Sequence, residues 1–326
     1  MILVTGGAGF IGSNLVAALE GRGERVVVSD WLGTDDKWRN LAKRDLADLL
    51  APEQLFDFLN YTGDRIKAVF HLGAISSTTE TDADLIIQTN FRLSCALWVW
   101  CRDHGKRMIY ASSAATYGDG AEGFKDDESI AGLARLRPLN AYGWSKHLFD
   151  RWIARQKDSG KQLPPQIAGL KFFNVNGPNE YHKDTMRSVA EQIYPFAARR
   201  ETFSLFKSYH PDYADGGQLR DFVWVGDCVK VMLWLLDQPA VSGLFNVGSG
   251  NARSFADLAK AVYEAAATKP LIAFREMPEA LRGRYQYFTE ANLDKLRQAG
   301  FAEPTTSLED GVRLYVKYLA AADKYV

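Results

Sequence analysis

Residues 2–12 read ILVTGGAGFIG. The first four are a mainly apolar run rich in β-branched residues, as suits a buried strand, and Phe10 opens a stretch with helical character to about Glu20. Between them Gly6, Gly9 and Gly12 fall at GxxGxxG spacing. A pyrophosphate must be met by backbone N–H groups and a helix N-terminus, and side chains at the points of closest approach would block that contact. Glycine spacing alone would fit any tight turn. Here a strand precedes it, a helix follows, and Asp30 closes a second strand at Arg25 to Ser29, as a dinucleotide fingerprint requires. A carboxylate at Asp30 can accept from the adenosine ribose and would repel a 2′-phosphate, which favours NAD. Lys37 and Arg39 follow closely, and either could instead pair with that phosphate. The residues leave NAD and NADP both open.

The alternation continues outward. Lys67 to Leu72 and Arg107 to Ser112 read as strands, Asp82 to His104 as one long helix, and Gln166 to Phe173 as a further strand. Strands alternating with helices imply a doubly wound α/β fold: a parallel sheet covered on both faces and joined by right-handed crossovers. From about Asn176 the texture changes to shorter elements, with Tyr209 to Gln218 (YHPDYADGGQ) a loop and short helices around Ser254 to Ala267 and Ala291 to Ala299. We therefore expect a Rossmann-type dinucleotide-binding domain over 1–174 and a smaller α/β substrate-binding domain over 175–326. Strands at Phe222 to Val225 and Leu244 to Val247 are expected to return to the main sheet of the first domain or its edge.

Bulk properties narrow the function. The chain has 326 residues, 47% hydrophobic and 24% charged, ordinary for a globular protein. A net charge of -1 provides no field for nucleic acid or anionic membrane, so an anionic ligand must be held by local groups. Three cysteines, none in a CxxC pair, fit a reducing compartment, and Cys95 and Cys101 read as small core residues. No signal-like segment opens the chain. Its longest apolar stretch, Leu93 to Cys101, is far short of the roughly 20 residues that span a bilayer, so a cytoplasmic location is expected. The histidines show no metal-ligand spacing, and no metal is expected.

Chemistry enters at AYGWSK, residues 141–146. Tyr142 and Lys146 stand four apart, on one face of a helix. A phenol with a pKa of about 10 is a poor base at neutral pH. A lysine ammonium and a positive nicotinamide both favour the phenolate, making Tyr142 competent to take a hydroxyl proton. Upstream, Ser112 and Ser113 end a strand, where a serine can hydrogen-bond the reacting oxygen.

TGGAGFIG at 5–12, HLGA at 71–74, Asn90, SSAATYG at 112–118, YGWSK at 142–146 and RDFVWVGD at 220–227 resemble the extended short-chain dehydrogenase/reductases that act on nucleotide sugars. SSTTE at 76–80, FFNVNGP at 172–178, His182-Lys183 with Met186, and LRGRYQYFT at 281–289 resemble, more closely, the ADP-L-glycero-D-manno-heptose 6-epimerase family of lipopolysaccharide core synthesis. The likeness covers essentially the whole chain. It implies tightly held NADP, oxidation of heptose carbon 6 to a ketone, and re-reduction from the other face. One ketone presenting both faces to one nicotinamide needs two proton donors, and the resemblance makes these Tyr142 and Lys183. It assigns Lys146 to the ribose and the pKa of Tyr142, and Ser113 to the reacting oxygen.

The resemblance also implies cofactor contacts from Phe10, Ile11, Trp31, Lys37, Leu72, Gly73, Ala74, Ile75, Ser76, Asn90, Val175 and Lys183. It implies sugar-nucleotide contacts from Ser113, Asn174, Thr185, Gln192, Phe206, Arg220 and Tyr285. A guanidinium such as Arg220 can grip a diphosphate in bidentate fashion, or pair with Asp221 or Asp227 instead. A homo-oligomer is implied, a pentamer among its forms. Three departures stand out: Trp31 replaces an asparagine of the family, Leu72 replaces an acid, and the charged stretch 119–137 has the character of an insertion. A 4-epimerase would share Ser, Tyr and Lys but has no use for His182-Lys183. A 4,6-dehydratase needs an acidic pair where Ala114 and Ala115 stand. A non-catalytic dinucleotide sensor would be free to lose Tyr142 or Lys146.

Overall fold

The computed structural model describes residues 1–282 and 285–326. In chain order the first half contains β1 (Ile2–Thr5), α1 (Phe10–Gly21), β2 (Val26–Ser29), β3 (Asp48–Leu50), α2 (Leu55–Thr62), β4 (Ala68–His71), α3 (Ala83–Ile86), α4 (Leu93–Asp103), β5 (Arg107–Ser113), α5 (Ile130–Arg135), α6 (Ala141–Asp158) and β6 (Ile167–Phe172). The second half contains β7 (Asn174–Asn176), α7 (Val189–Arg199), β8 (Phe203–Phe206), β9 (Leu219–Arg220), β10 (Phe222–Trp224), α8 (Val225–Asp237), β11 (Gly243–Val247), β12 (Arg253–Ser254), α9 (Phe255–Ala265), β13 (Ile272–Arg275), α10 (Glu279–Arg282), α11 (Asp294–Gln298) and α12 (Leu308–Ala320).

Seven strands form one parallel sheet in the order β11-β6-β5-β4-β1-β2-β3. Every residue of β1, β2, β4, β6 and β11 is buried, as expected of strands covered by helices on both faces. One core packs α1 and α8 against the sheet, and another packs α2, α4 and α6 against its opposite face. The winding direction changes between β1 and β4, so the carboxyl ends of these strands diverge and leave a crevice where ligands of such folds bind. A third core, of α7, α9 and α12, lies in the second half.

Two expectations need correction. The run Phe222 to Val225 does not reach the main sheet. Phe222–Trp224 pairs instead with Asn174–Asn176 in a separate two-stranded ladder, and Gly243–Val247 takes the sheet edge beside β6. The stretch Asp82 to His104 is not one uniform helix, because Ile87–Arg92 is a π-helical turn between α3 and α4. That turn carries Asn90, which is buried and bonded to both sides of the strand-end loop at Ile75: Ile75 N–H donates to Asn90 Oδ1 at 2.8 Å, and Asn90 Nδ2 donates to the Ile75 carbonyl at 2.9 Å. π-Turns inside α-helices are often found at functional sites.

Cys101 lies in the core and Cys95 is half-buried beside it; burial pushes both thiols up to about 12, which makes them unreactive at neutral pH. The charged stretch 119–137 packs onto the sheet edge, where Asp126 and Glu128 accept from the backbone N–H groups of Asn246 and Leu244. Among the described residues, no helix is long and apolar enough to cross a membrane.

Candidate active site

A cavity of about 600 Å³ opens at the carboxyl ends of the sheet strands. Its floor is the glycine turn. Gly6 holds φ 68°, and a Cβ there would stand 2.5 Å from the Gly73 nitrogen. At Gly12 a Cβ would meet the Gly6 carbonyl oxygen at 2.1 Å. No side chain larger than hydrogen fits these contacts. α1 begins after Gly9 with no side-chain cap and no acid in its first turn, so its N–H groups are left for an anionic ligand. Asp30, at the far end, accepts from Ala8 N–H at 2.9 Å. This cradle fits a dinucleotide.

Of the cofactor residues expected from sequence, Gly6, Gly9, Phe10, Ile11, Gly12, Asp30, Lys37, Leu72, Gly73, Ala74, Ser76, Tyr142, Lys146, Val175 and Lys183 line this cavity. Trp31, Ile75 and Asn90 do not. Trp31 turns outward, its indole N–H donating to Glu53 at 2.9 Å. Ile75 and Asn90 brace the wall from behind. The Lys37 ammonium sits 2.8 Å from Asp30 Oδ1 and 2.7 Å from the Trp31 carbonyl. The charge of Asp30 is thus already opposed.

Ser113, Tyr142 and Lys146 meet on one wall. Asn140 caps α6, accepting from Gly143 N–H at 2.8 Å, and fixes the helix start that aims Tyr142. Burial pushes the Tyr142 phenol up, and the Ser113 hydroxyl pulls it back down. Ser113 Oγ already accepts from Ala115 N–H at 3.1 Å, which leaves its proton for a second partner. Lys146 is buried, donates to the Ala111 carbonyl at 2.8 Å, and is pushed down to about 8 by burial, with Asp150 acting in the opposite direction.

Behind this wall runs a hydrogen-bonded chain that sequence reasoning did not find. Thr5 Oγ1 meets His71 Nδ1 at 2.7 Å, His71 Nε2 meets Ser94 Oγ at 2.8 Å, and Ser94 donates to the Asn90 carbonyl at 2.6 Å. Asn90 Nδ2 donates to Ser145 Oγ at 3.0 Å, and Ser145 donates to the Tyr142 carbonyl at 2.7 Å. Its members come from five elements (β1, β4, the π-turn, α4 and α6) and show no local pattern. Burial, with Lys146 nearby, pushes His71 down to about 3, so it is neutral at pH 7.

Lys183 lines the same cavity from a separate element, the short turn Tyr181–Met186. Its ammonium lies 5.4 Å from the Phe10 ring centroid, and burial lowers its pKa. Several bonds fix the turn: Asn14 donates to the Pro178 carbonyl at 3.0 Å, and Asn40 to that of Asn179 at 3.0 Å. Glu180 accepts from Tyr315 at 2.8 Å and from Ser188. His182 contacts Asn40 at 3.3 Å. Asp184 holds φ 46°, ψ −121°, a strained conformation for a residue with a side chain.

Thr185 lines the same cavity, but Asn174, Gln192, Phe206, Arg220 and Tyr285 do not. Arg220 and Tyr285 form a cluster of their own. The buried guanidinium lies 5.2 Å from the Tyr285 ring and 5.6 Å from that of Phe255. Neither Asp221 nor Asp227 pairs with it. Asp221 accepts from the N–H groups of Ser249, Gly250 and Ala291, and Asp227 is bonded to Lys230 and Thr306. Arg220 has no carboxylate partner among the described residues, and burial lowers its pKa. A buried cation flanked by aromatic rings, with no counter-charge, suits an anionic group of a ligand. Phe206 lies under the Arg275 guanidinium at 4.9 Å. Gln192 donates to the Arg187 carbonyl at 2.8 Å, and exposed Asn174 faces Thr289. Gly283 and Arg284 of the 281–289 motif lie outside the described residues.

Residues 2–248 match a family model described as the NAD dependent epimerase/dehydratase family. The chain belongs to that family. A curated relative, the ADP-L-glycero-D-manno-heptose-6-epimerase of Nitratidesulfovibrio vulgaris, is 52% identical over the full length of both chains. Among solved structures, the ADP-L-glycero-D-manno-heptose-6-epimerase of Helicobacter pylori is 27% identical with a TM-score of 0.79, covering 98% of this chain and 96% of that one. The UDP-glucose 4-epimerase of Thermus thermophilus, in complex with NAD, is 26% identical with a TM-score of 0.77, covering 98% and 99%. The family accounts for the glycine cradle through a nicotinamide dinucleotide. Between the family's two named chemistries, the cavity favours epimerisation: among the described residues its only carboxylates are Asp30 and Asp184, and Ala114 and Ala115 follow Ser113.

Proposed function

We propose that this chain interconverts ADP-D-glycero-D-manno-heptose and ADP-L-glycero-D-manno-heptose in the cytoplasm, as a homo-oligomer supplying lipopolysaccharide core heptose. The observation that carries the reading is one cavity lined by Ser113, Tyr142 and Lys146 together with a second buried amine, Lys183. The curated relative's name points the same way. A nicotinamide dinucleotide held by the Gly6-Gly9-Gly12 turn, with Asp30 and Lys37 at its far end, would supply the hydride acceptor and donor for carbon 6.

In one substrate orientation Tyr142 takes the carbon 6 hydroxyl proton while Ser113 donates to the same oxygen. Lys146 favours the phenolate by its charge. In the other orientation the ketone presents its opposite face and Lys183 protonates the oxygen. Burial brings the Lys183 pKa closer to neutrality, which suits a proton donor at pH 7. A reaction that removes and returns the same hydride is redox-neutral and needs no external oxidant. The cofactor in this reading is NADP: with Asp30 already opposed by Lys37, its repulsion of a 2′-phosphate is blunted, and Lys37 is the cation at that end.

Arg220 holds the diphosphate, with Tyr285 beside it; Asn174, Thr185, Gln192 and Phe206 complete the sugar-nucleotide contacts. Arg220→Met is expected to raise KM for the nucleotide sugar roughly 10- to 100-fold with little change in kcat, the magnitude of a charge-assisted hydrogen bond lost from both ground and transition states. Steady-state kinetics check this; an unchanged KM removes Arg220 from the substrate contacts.

The function itself is tested by incubating purified protein, without added cofactor, with ADP-D-glycero-D-manno-heptose and following both carbon 6 epimers by NMR. A mixture of epimers is expected. Inertness after resupply with NADP and NAD, with turnover of a UDP-hexose instead, would replace this reading with a 4-epimerase.

A further inference from the structure

A buried pair of opposite charges lies between α6 and the sheet, and no step described above uses it. The side chains of Asp150 on α6 and Lys171 on β6 are 0% and 1% exposed, with Nζ 3.6 Å from Oδ2. Asp150 accepts from Ser112 Oγ at 2.7 Å and from the Tyr110 hydroxyl at 3.0 Å. Lys171 donates to Thr116 Oγ1 at 2.7 Å, and Thr116 donates to the Ser113 carbonyl at 2.7 Å. The Lys171 ammonium also lies 4.3 Å from the Tyr117 ring centroid.

Removing two ions from water costs about as much as their attraction returns, so net stability is a weak reason for such a pair. Its bonds point to a different role. They fall on Tyr110, Ser112 and Thr116, which bracket two residues of the reaction site. One is Ala111, whose carbonyl receives Lys146; the other is Ser113 itself. On α6, Asp150 follows Lys146 by four residues and Tyr142 by eight, on the same helix face. We propose that Asp150 and Lys171 are positioning residues, which lock α6 to the end of β5 and keep Ser113, Tyr142 and Lys146 in register, with the Asp150 carboxylate holding Lys146 in its charged form. This rests on the function proposed above.

The groups facing the pair are Tyr110 from β5, Lys146 from α6, and Asp126, Glu128 and Lys295 from the segments over the sheet edge; His147 faces Lys171, and His71 faces Lys146. Burial lowers Lys146 to about 8, and Asp150 acts against that fall. Burial likewise raises Asp150, and Lys171 acts against that rise. Lys146 is charged below its pKa, so activity that needs its charge falls as pH rises through about 8.

Asp150→Asn removes the anion, lowers the Lys146 pKa and moves the alkaline limb of the kcat profile to lower pH, by about one unit. Lys171→Met leaves Asp150 unpaired and more readily protonated, with a shift in the same direction. Lys171→Arg keeps the charge and retains the wild-type limb. The double variant Asp150→Asn/Lys171→Met shifts no further than Asp150→Asn.

The Lys146 titration is read directly as well, by NMR of 13Cε-labelled lysine assigned with Lys146→Met. A lower Lys146 pKa in Asp150→Asn supports the proposal even if the heptose substrate proves wrong, which separates its fate from that of the function. A folded Asp150→Asn protein with reduced kcat but an unmoved Lys146 titration overturns it, as does one with unchanged rate and profile. If Asp150→Asn does not fold, Lys171→Met carries the same test.

Discussion

Tyr142→Phe is expected to lower kcat for heptose epimerisation by roughly 10²–10⁴-fold, the usual contribution of a positioned general base, while the protein stays folded and still binds dinucleotide. The substitution removes one oxygen from a half-buried ring on α6 and leaves the Asn140 cap and the Ser145-Asn90 bond in place. The lost group is the one whose proton affinity the site adjusts: burial raises it, and Ser113 lowers it. Kinetics with each epimer as starting substrate, beside a circular dichroism spectrum, check the result. A folded Tyr142→Phe protein with kcat within a few-fold of wild type would remove Tyr142 from the chemistry.

Lys183→Ala is expected to cost roughly 10²-fold or more in kcat at saturating cofactor, because one of the two substrate orientations loses its proton donor. The alternative is that Lys183 only steadies the dinucleotide near Phe10. The two accounts separate cleanly. A lysine that contacts only cofactor raises its Kd and leaves kcat intact once cofactor is resupplied; a proton donor lowers kcat whatever the cofactor concentration. Fluorescence titration of the dinucleotide, run beside the kinetics, distinguishes them. The turn that carries Lys183 is anchored through Asn14, Asn40 and Glu180, so the substitution has little reason to disturb the fold.

These residues were legible in the sequence to different degrees, for physical reasons. Gly6, Gly9 and Gly12 lie within one strand-turn-helix, and Tyr142 and Lys146 within one helical turn. Local geometry fixes their relations, so spacing reveals them. The isolation of Arg220 from carboxylates was not legible. Asp221 stands next to it in sequence, yet its carboxylate turns to the backbone N–H groups of Ser249, Gly250 and Ala291, far along the chain. The chain from Thr5 through His71, Ser94 and Asn90 to Ser145 has the same character, each partner arriving from a different element. The π-turn at Asn90 was hidden because an apolar periodicity near 3.6 continues across it. The mistaken destination of Phe222–Trp224 has another cause. A three-residue apolar run fits many neighbours, and the sheet edge went to Gly243–Val247, five residues that are all buried there.

In the proposed reaction one hydride leaves carbon 6 and returns to its other face within a single site. The most direct measurement uses ADP-D-glycero-D-manno-heptose deuterated at carbon 6, incubated with the purified protein in ordinary water and followed by NMR. The L-glycero epimer is expected to form with deuterium retained at carbon 6 and no label lost to solvent. Formation of that epimer with hydrogen at carbon 6 would mean proton abstraction instead of hydride transfer, and would contradict the proposed reaction.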